Sequence, residues 1–272
     1  HTKIVSKRLL REHAAPIGLS LIFLIPIIFV FFWMISMSLK TQVQINAYPP
    51  TMIPQPATTE WYANLFYRQP FVKYTINSLI VAISATGVAS ILGLPAAYVV
   101  AKWKMNGSAT IILVMKIIPA ISYLIPWFII AQRTGLSDTL TILSILHLII
   151  TLPLITWIMI GFYATVPDEL IDCSRVDGCN AFQTFFFVVT PLVKPGIVAA
   201  MILAFIMSWN NFLFSAVLGG SRSQTLPVAV YGMLTFEEAN WGPLTAAATI
   251  VCLPIIIGSL IFQRHLVQGL TA

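Results

Sequence analysis

The sequence predicts an all-α, polytopic membrane protein with six transmembrane helices and a cytoplasmic helix-turn-helix loop. Three observations carry that expectation. Hydrophobic residues make up 58% of the 272 and charged residues only 9%, against about 25% charged in soluble domains. So few charges cannot clothe a soluble surface, so the solvent for the apolar excess is a bilayer. Six runs reach the ~20 apolar residues that a spanning helix needs, at about 17–37, 76–101, 109–131, 140–164, 197–219 and 244–262. Lys and Arg are divided unequally between the alternate connections.

The runs are continuously apolar, whereas barrel strands are about 10 residues long and alternate. Helices also satisfy their own backbone hydrogen bonds in hydrocarbon. The first run, from Ile17 to Met37, holds no charge, and no small-residue cleavage site follows it. It reads as a retained span rather than a signal peptide. The next connection carries Pro49, Pro50, Pro54 and Pro56, a density incompatible with continuous helix. The third run holds the one formal charge inside a span, Lys116.

Lys3, Lys7, Arg8, Arg11, Lys102, Lys104, Arg175, Lys194 and Arg264 fall on one side of this arrangement; Lys40, Arg68, Lys73, Arg133 and Arg222 fall on the other. The excess of positive charge marks the cytoplasmic side, so both termini are expected there. The net charge of +6 is explained by these flanks, and nucleic acid is not expected as a partner. Three cysteines, Cys173, Cys179 and Cys252, have neither disulfide-framework nor metal-ligand spacing.

The inward-facing connection of about 165–196 is the longest on that side. Val166-Pro-Asp-Glu-Leu reads as a helix start, with Pro167 at the first position and Asp168 and Glu169 at the positive end of the dipole. Asp177-Gly178 reads as a turn, and Asn180 as the cap of a second helix. There Phe182, Phe185, Phe186 and Val189 fall at i, i+3, i+4 and i+7, one apolar face. Pro191 and Pro195 are expected to break that helix before the fifth span. Such a loop is either an amphipathic linker lying on the membrane or a docking element for a cytoplasmic partner.

The stretch Asp172-Cys-Ser-Arg-Val-Asp-Gly-Cys-Asn-Ala-Phe-Gln-Thr-Phe-Phe-Phe-Val-Val-Thr-Pro-Leu-Val-Lys-Pro195 resembles the EAA loop of ATP-binding-cassette importer permeases. Asp177, Gly178, Phe185, Pro191 and Pro195 match the family pattern in identity and spacing. Val188 stands for Ile, Asp172 for Glu, and Cys173, Ser174 and Cys179 for Ala. Pro50-Thr-Met-Ile-Pro54 with Trp61-Tyr62, Asn77-Ser-Leu-Ile-Val, Ala96-Ala-Tyr98, Trp209-Asn-Asn-Phe-Leu-Phe214, Leu226-Pro227, Ala246-Ala-Ala, Pro254 and Gln263-Arg264 are similar to the carbohydrate-uptake, maltose-type permeases, in the second-permease group. Asn211 stands where that group usually has an acid.

The resemblance implies an assembly of two different permeases, two ATP-binding subunits and an external solute-binding protein in the bacterial inner membrane. It implies that Asp172, Asp177, Gly178, Phe182, Phe185 and Pro191 couple this chain to the ATPase. No phosphate-binding GxxxxGK[ST] loop occurs here. This chain is therefore expected to be non-catalytic and to bind no cofactor, with ATP and Mg on the partner ATPase.

Inside the bilayer, Lys116 is either a snorkelling or packing residue or a pore cation for an acidic sugar. His147 is either a hydrogen-bonded packing residue or a ligand. Asn210 and Asn211 either glue helices or bond substrate hydroxyls. Trp209, Phe212, Tyr123 and Trp127 either form an interfacial belt or stack on sugar. Glu237, Glu238, Asn240 and Trp241 in the last outer connection are candidates for contact with the binding protein. A secondary transporter or channel is the competing class, but it would lead one to expect inverted repeats or broken half-helices. A membrane-embedded enzyme would need catalytic motifs that the sequence lacks.

Overall fold

The structure is a computed structural model describing residues 21–234 and 240–271, with the side chains of Arg68 and 261–271 excepted. The described residues are helical, in the order α1 (Leu21–Ser38), α2 (Gln42–Ile45), α3 (Glu60–Arg68), α4 (Phe71–Lys102), α5 (Asn106–Ile117), α6 (Ile121–Thr134), α7 (Leu140–Ala164), α8 (Asp168–Val176), α9 (Ala181–Leu192), α10 (Lys194–Trp209), α11 (Leu213–Leu218), α12 (Leu226–Tyr231) and α13 (Trp241–Thr271). Four of these, α1, α4, α7 and α13, are long and apolar enough to cross a membrane unaided. The fourth sequence run coincides with α7 at both ends.

The third run is not one rod. α5 and α6 meet at an angle of 86°. At ~1.5 Å per residue they are about 18 and 21 Å long, so neither alone crosses a ~30 Å hydrocarbon layer. Ile118 precedes Pro119 and is extended, at φ −61° and ψ 123°, the conformation that a following proline ring imposes. Tyr123 Oη donates across the bend to the Met115 carbonyl at 3.4 Å. The fifth run also ends early. Asn210 closes α10, and the Asn211 side chain accepts the Phe214 N–H at 3.1 Å, starting α11 afresh. Asparagine favours such local bonds over helix continuation.

The chain divides into two compact units. In the first, drawn from the chain up to Gln69 and Met233–Ile250, the proline-rich connection folds over a lysine. Lys40 is 1% exposed, donates to the Thr51 carbonyl and lies 4.3 Å from the centre of the Trp33 ring. Burial lowers its pKa. Its own carbonyl accepts from Trp61 Nε1 at 2.6 Å. Gly242, opening α13, meets the Trp61 ring so closely that a Cβ there would lie 2.4 Å from it. The sides of α1 stay exposed from Leu21 to Phe32, as expected of a helix solvated by lipid or a second protein.

The second unit, Pro70–Gly232 with Val251–Ala272, is built on α4 and α7. Lipid supplies no hydrophobic drive between helices, so close approach through small residues does the packing. Ala82, Ala85, Ala89 and Ala97 are buried along one side of α4. A Cβ on Gly93 would come within 2.9 Å of Thr156 Oγ1 and 3.3 Å of Leu152 on α7. Gly196, at the start of α10, touches the Phe162 ring, which a Cβ would approach to 2.5 Å. His147 on α7 is buried and its Nδ1 shares a 2.7 Å hydrogen bond with Ser208 Oγ on α10, a packing arrangement.

One end of this bundle is closed around Asp138, in the turn between α6 and α7. Its carboxylate accepts from the backbone N–H groups of Gly220 and Ser223, each at 2.8 Å, from Ser223 Oγ at 2.7 Å and from Arg222 N–H at 3.2 Å. Asn77 Nδ2 on α4 donates to the Arg222 and Gln224 carbonyls, and Ser78 Oγ accepts the Leu226 N–H. Burial alone would raise the Asp138 pKa, but the hydroxyl and backbone donors outweigh it and hold the carboxyl well below the usual carboxylate range.

Two measurements check this packing. Gly93→Val is expected to cost roughly 1–3 kcal/mol through overpacking, read as a lower melting temperature in detergent. Asp138→Asn is expected to cost about 1–3 kcal/mol at neutral pH by weakening charge-assisted bonds. Because the folded pKa is depressed, the carboxylate's contribution is complete above its unfolded value of ~3.9 and lost as pH falls through the lower folded value. Wild type and variant should therefore converge in stability only below about pH 4.

Candidate coupling loop and membrane-interior residues

Below α7 the chain turns through Thr165 and Val166 into α8. Lys102, in the last turn of α4, reaches across this turn. Its Nζ donates to the Val166 carbonyl at 2.5 Å and to Asp168 Oδ1 at 2.8 Å. The hydrogen bond from Lys102, then its charge and that of Lys104, hold the Asp168 carboxyl below its ordinary range.

α8 ends at Asp177, and Gly178 takes φ +84°, the left-handed conformation that favours glycine. The Gly178 N–H returns to the Arg175 carbonyl at 3.0 Å and that of Cys179 to Ser174 at 2.9 Å, consuming the free carbonyls at the helix end. Asn180 and Gln183 then form a reciprocal cap, with bonds of 2.8 and 2.9 Å. Ser174 Oγ and Thr184 Oγ1, 2.9 Å apart and buried, pin the two helices together.

α9 departs from the regular α pattern expected for it. From Thr184 to Val189 it is a π-helix, in which N–H groups pair with the fifth carbonyl back. The chain therefore continues through Pro191 and turns only at Val193 (φ −97°, ψ 11°), with Pro195 opening α10. The wider turn accommodates a proline that cannot donate to the fourth carbonyl back. The turn between α9 and α10 is 81°.

The π segment also re-sorts the aromatic residues. The single apolar face expected of Phe182, Phe185, Phe186 and Val189 is divided. Phe185, 7% exposed, and Val189 point inward. Phe182, 71% exposed, pairs with Phe186 outside, ring centres 4.4 Å apart. Phe185 enters the base of the bundle, 5.2 Å from the Tyr98 ring of α4 and 6.2 Å from the Tyr163 ring of α7; those two rings stand 5.6 Å apart. These separations suit tilted aromatic packing. Asp172, Asp177, Gly178 and Phe182 form the exposed tip, with Val176 beside them. Pro191 is exposed farther along.

The membrane-interior candidates do not converge. Lys116 is exposed in the last turn of α5, next to the bend. Tyr123 is partly buried and spans that bend. Trp209 is 1% exposed, stacked on Phe205, with its N–H on the Val251 carbonyl at 3.1 Å; it packs in the interior and presents no face for stacking a sugar. Asn210 is exposed at the end of α10, and Asn211 caps α11. Asn240 and Trp241 are exposed at the start of α13, while Glu237 and Glu238 lie outside the described residues. Sequence reasoning gave Tyr98, Tyr163, Lys102 and Asp138 no site role. Tyr98, within a matched motif, and Lys102, a basic residue at a helix end, offered a signal.

This fold has close counterparts. The pattern of the family described as "Binding-protein-dependent transport system inner membrane component" matches residues 89–272, a region that contains the whole α8–α9 loop. The chain belongs to that family. It is a permease subunit of an ATP-binding-cassette importer, a multi-pass transport component of the membrane. The inner membrane ABC transporter permease protein YcjP of Escherichia coli is 32% identical over 98% of this chain and 97% of its own. The trehalose transport system permease protein SugB of Mycobacterium tuberculosis is 34% identical, covering 88% and 89%. Among solved structures, a chain of a bacterial ABC transporter involved in the import of the acidic polysaccharide alginate superposes with a TM-score of 0.74, covering 94% of this chain and 97% of its own at 19% identity; it shares the fold.

In this permease Phe185→Ala is expected to cost about 3–5 kcal/mol, the usual consequence of emptying a buried phenylalanine site. Phe182→Ala should leave the stability within about 0.5 kcal/mol of wild type. Thermal denaturation of the two variants in detergent checks the contrast.

Proposed function

We propose that this chain is the second permease of a carbohydrate importer and that the α8–α9 loop is its coupling element, entering a cleft on a partner ATPase. The observation that carries the reading is Phe185. One short hairpin has an exposed tip at Gly178 and Phe182 and a buried ring seated between the two central helices. A push on the tip reaches α4 and α7 through that ring, and α10 through the turn at Val193. Switching between inward- and outward-facing states requires such a packed link, because packed interiors transmit displacement rather than absorb it.

The assembly envisaged holds a different partner permease, two ATP-binding subunits carrying ATP and Mg, and an external solute-binding protein, at the bacterial inner membrane with both termini of this chain cytoplasmic. The basic flanks at Lys102, Lys104, Arg175 and Lys194 support that orientation. A carbohydrate cargo is supported by the trehalose permease among the relatives and by the sequence signatures of the maltose-type group. Lys116 stands at a helix break about 15 Å along α5. Every Asp and Glu of the chain lies outside the six apolar runs. Non-helical backbone at such depth is tolerated where it is buried in protein or lines water, which suits a pore cation for an acidic sugar. Asn240 and Trp241, with Glu237 and Glu238, are proposed to face the binding protein.

The test is Gly178→Asp in the assembled transporter in proteoliposomes. Because nothing stands within 4 Å of a Cβ at Gly178, the variant should fold and assemble at a cost of order 1–2 kcal/mol for left-handed backbone. ATP-driven uptake is expected to fall at least tenfold while the protein yield holds. Full ATP-driven uptake by the variant would remove the coupling role.

A further inference from the structure

A cleft of about 440 Å³ opens at the end of the bundle where α4 finishes, α5 begins and α7 passes into α8. Its lining is mixed: it includes Lys102, Lys104 and Asp168, and also Met105, Ala109 and Ile160. Lys102 is already engaged, its side chain 11% exposed and its ammonium on Asp168 and the Val166 carbonyl. Lys104 is not: among the described residues its ammonium makes no hydrogen bond or ion pair, and its backbone is held in the left-handed region at φ 49°. Two lysines against one aspartate leave the cleft with one net positive charge.

The cleft lies where three apolar helices enter or leave the hydrocarbon, a placement that rests on the membrane orientation proposed above. Basic pockets between transmembrane helices at that depth recognise anionic headgroups. A free phosphate would satisfy Lys104 but leave the Met105, Ala109 and Ile160 side chains in water. We propose that the cleft binds an anionic phospholipid, with the phosphodiester on Lys104 and the start of an acyl chain along Met105, Ala109 and Ile160.

The experiment uses the assembled transporter in nanodiscs of phosphatidylcholine doped with phosphatidylglycerol, released and weighed by native mass spectrometry. Comparison of wild type with Lys104→Gln isolates this site from lipid held elsewhere. Wild type is expected to retain phosphatidylglycerol about fivefold more strongly at this site than Lys104→Gln does, the factor one lysine contributes near an anionic surface. Ala109→Phe, which fills part of the cleft and leaves the charge, is expected to reduce retention as well. Millimolar inorganic phosphate should not displace the lipid. Equal retention by wild type and Lys104→Gln overturns the proposal, as does equal retention of phosphatidylcholine. Displacement by inorganic phosphate assigns the cleft to a free anion and also overturns it. Variants are compared only after matching helical content and subunit stoichiometry. Absent ATP-driven uptake in wild type would sink the transport reading while leaving the lipid result intact.

Discussion

The seating of Phe185 between Tyr98 and Tyr163 is the contact on which the rest of the loop depends. What lies distal to it is small: one nine-residue helix, one glycine turn, one capped helix start. Such a hairpin has little core of its own. Its internal order comes from the Ser174–Thr184 hydrogen bond and the Asn180–Gln183 cap, and its attachment to the bundle from the buried Phe185, Val189 and Ile171 and from Lys102 on Asp168 and the Val166 carbonyl. An aromatic plug suits this role because it fills a large volume with only two rotatable bonds.

The bundle above is built to respond as a packed body. Its helices approach through Gly93, Gly196 and a row of alanines, where backbone lies nearly against side chain and no soft layer intervenes. Charged groups hold the ends, with Lys102 clamping the base of α4 to the start of α8 and Asp138 gathering four donors at the opposite end. Both devices place charge at the boundary of the apolar region, where it remains partly solvated, and keep it out of the interior.

Much of this was legible in the residues. Hydropathy located the four long apolar helices, and for α7 it located both ends. Pro167, Asp177-Gly178 and Asn180 marked the start, turn and restart of the loop, because capping and left-handed backbone are local matters. The bend at Ile118 was not read, although Pro119 stood in plain view: hydropathy sums over a window and is blind to the direction of the axis. The divided aromatic face of α9 was missed for a related reason. A wheel drawn at 3.6 residues per turn assumes the helix that the π segment replaces.

The sequence by itself determined the solvent, the number of apolar segments and the position of the loop, since these follow from side-chain chemistry and neighbouring backbone preferences. Only the tertiary structure decided which aromatic ring enters the bundle, that Trp209 packs inward, and that Asp138 and Lys102 hold the two ends. Those outcomes depend on which helices lie against each other at distances of a few ångströms, and residues as far apart in the chain as Tyr98 and Phe185 carry no local signal of their meeting.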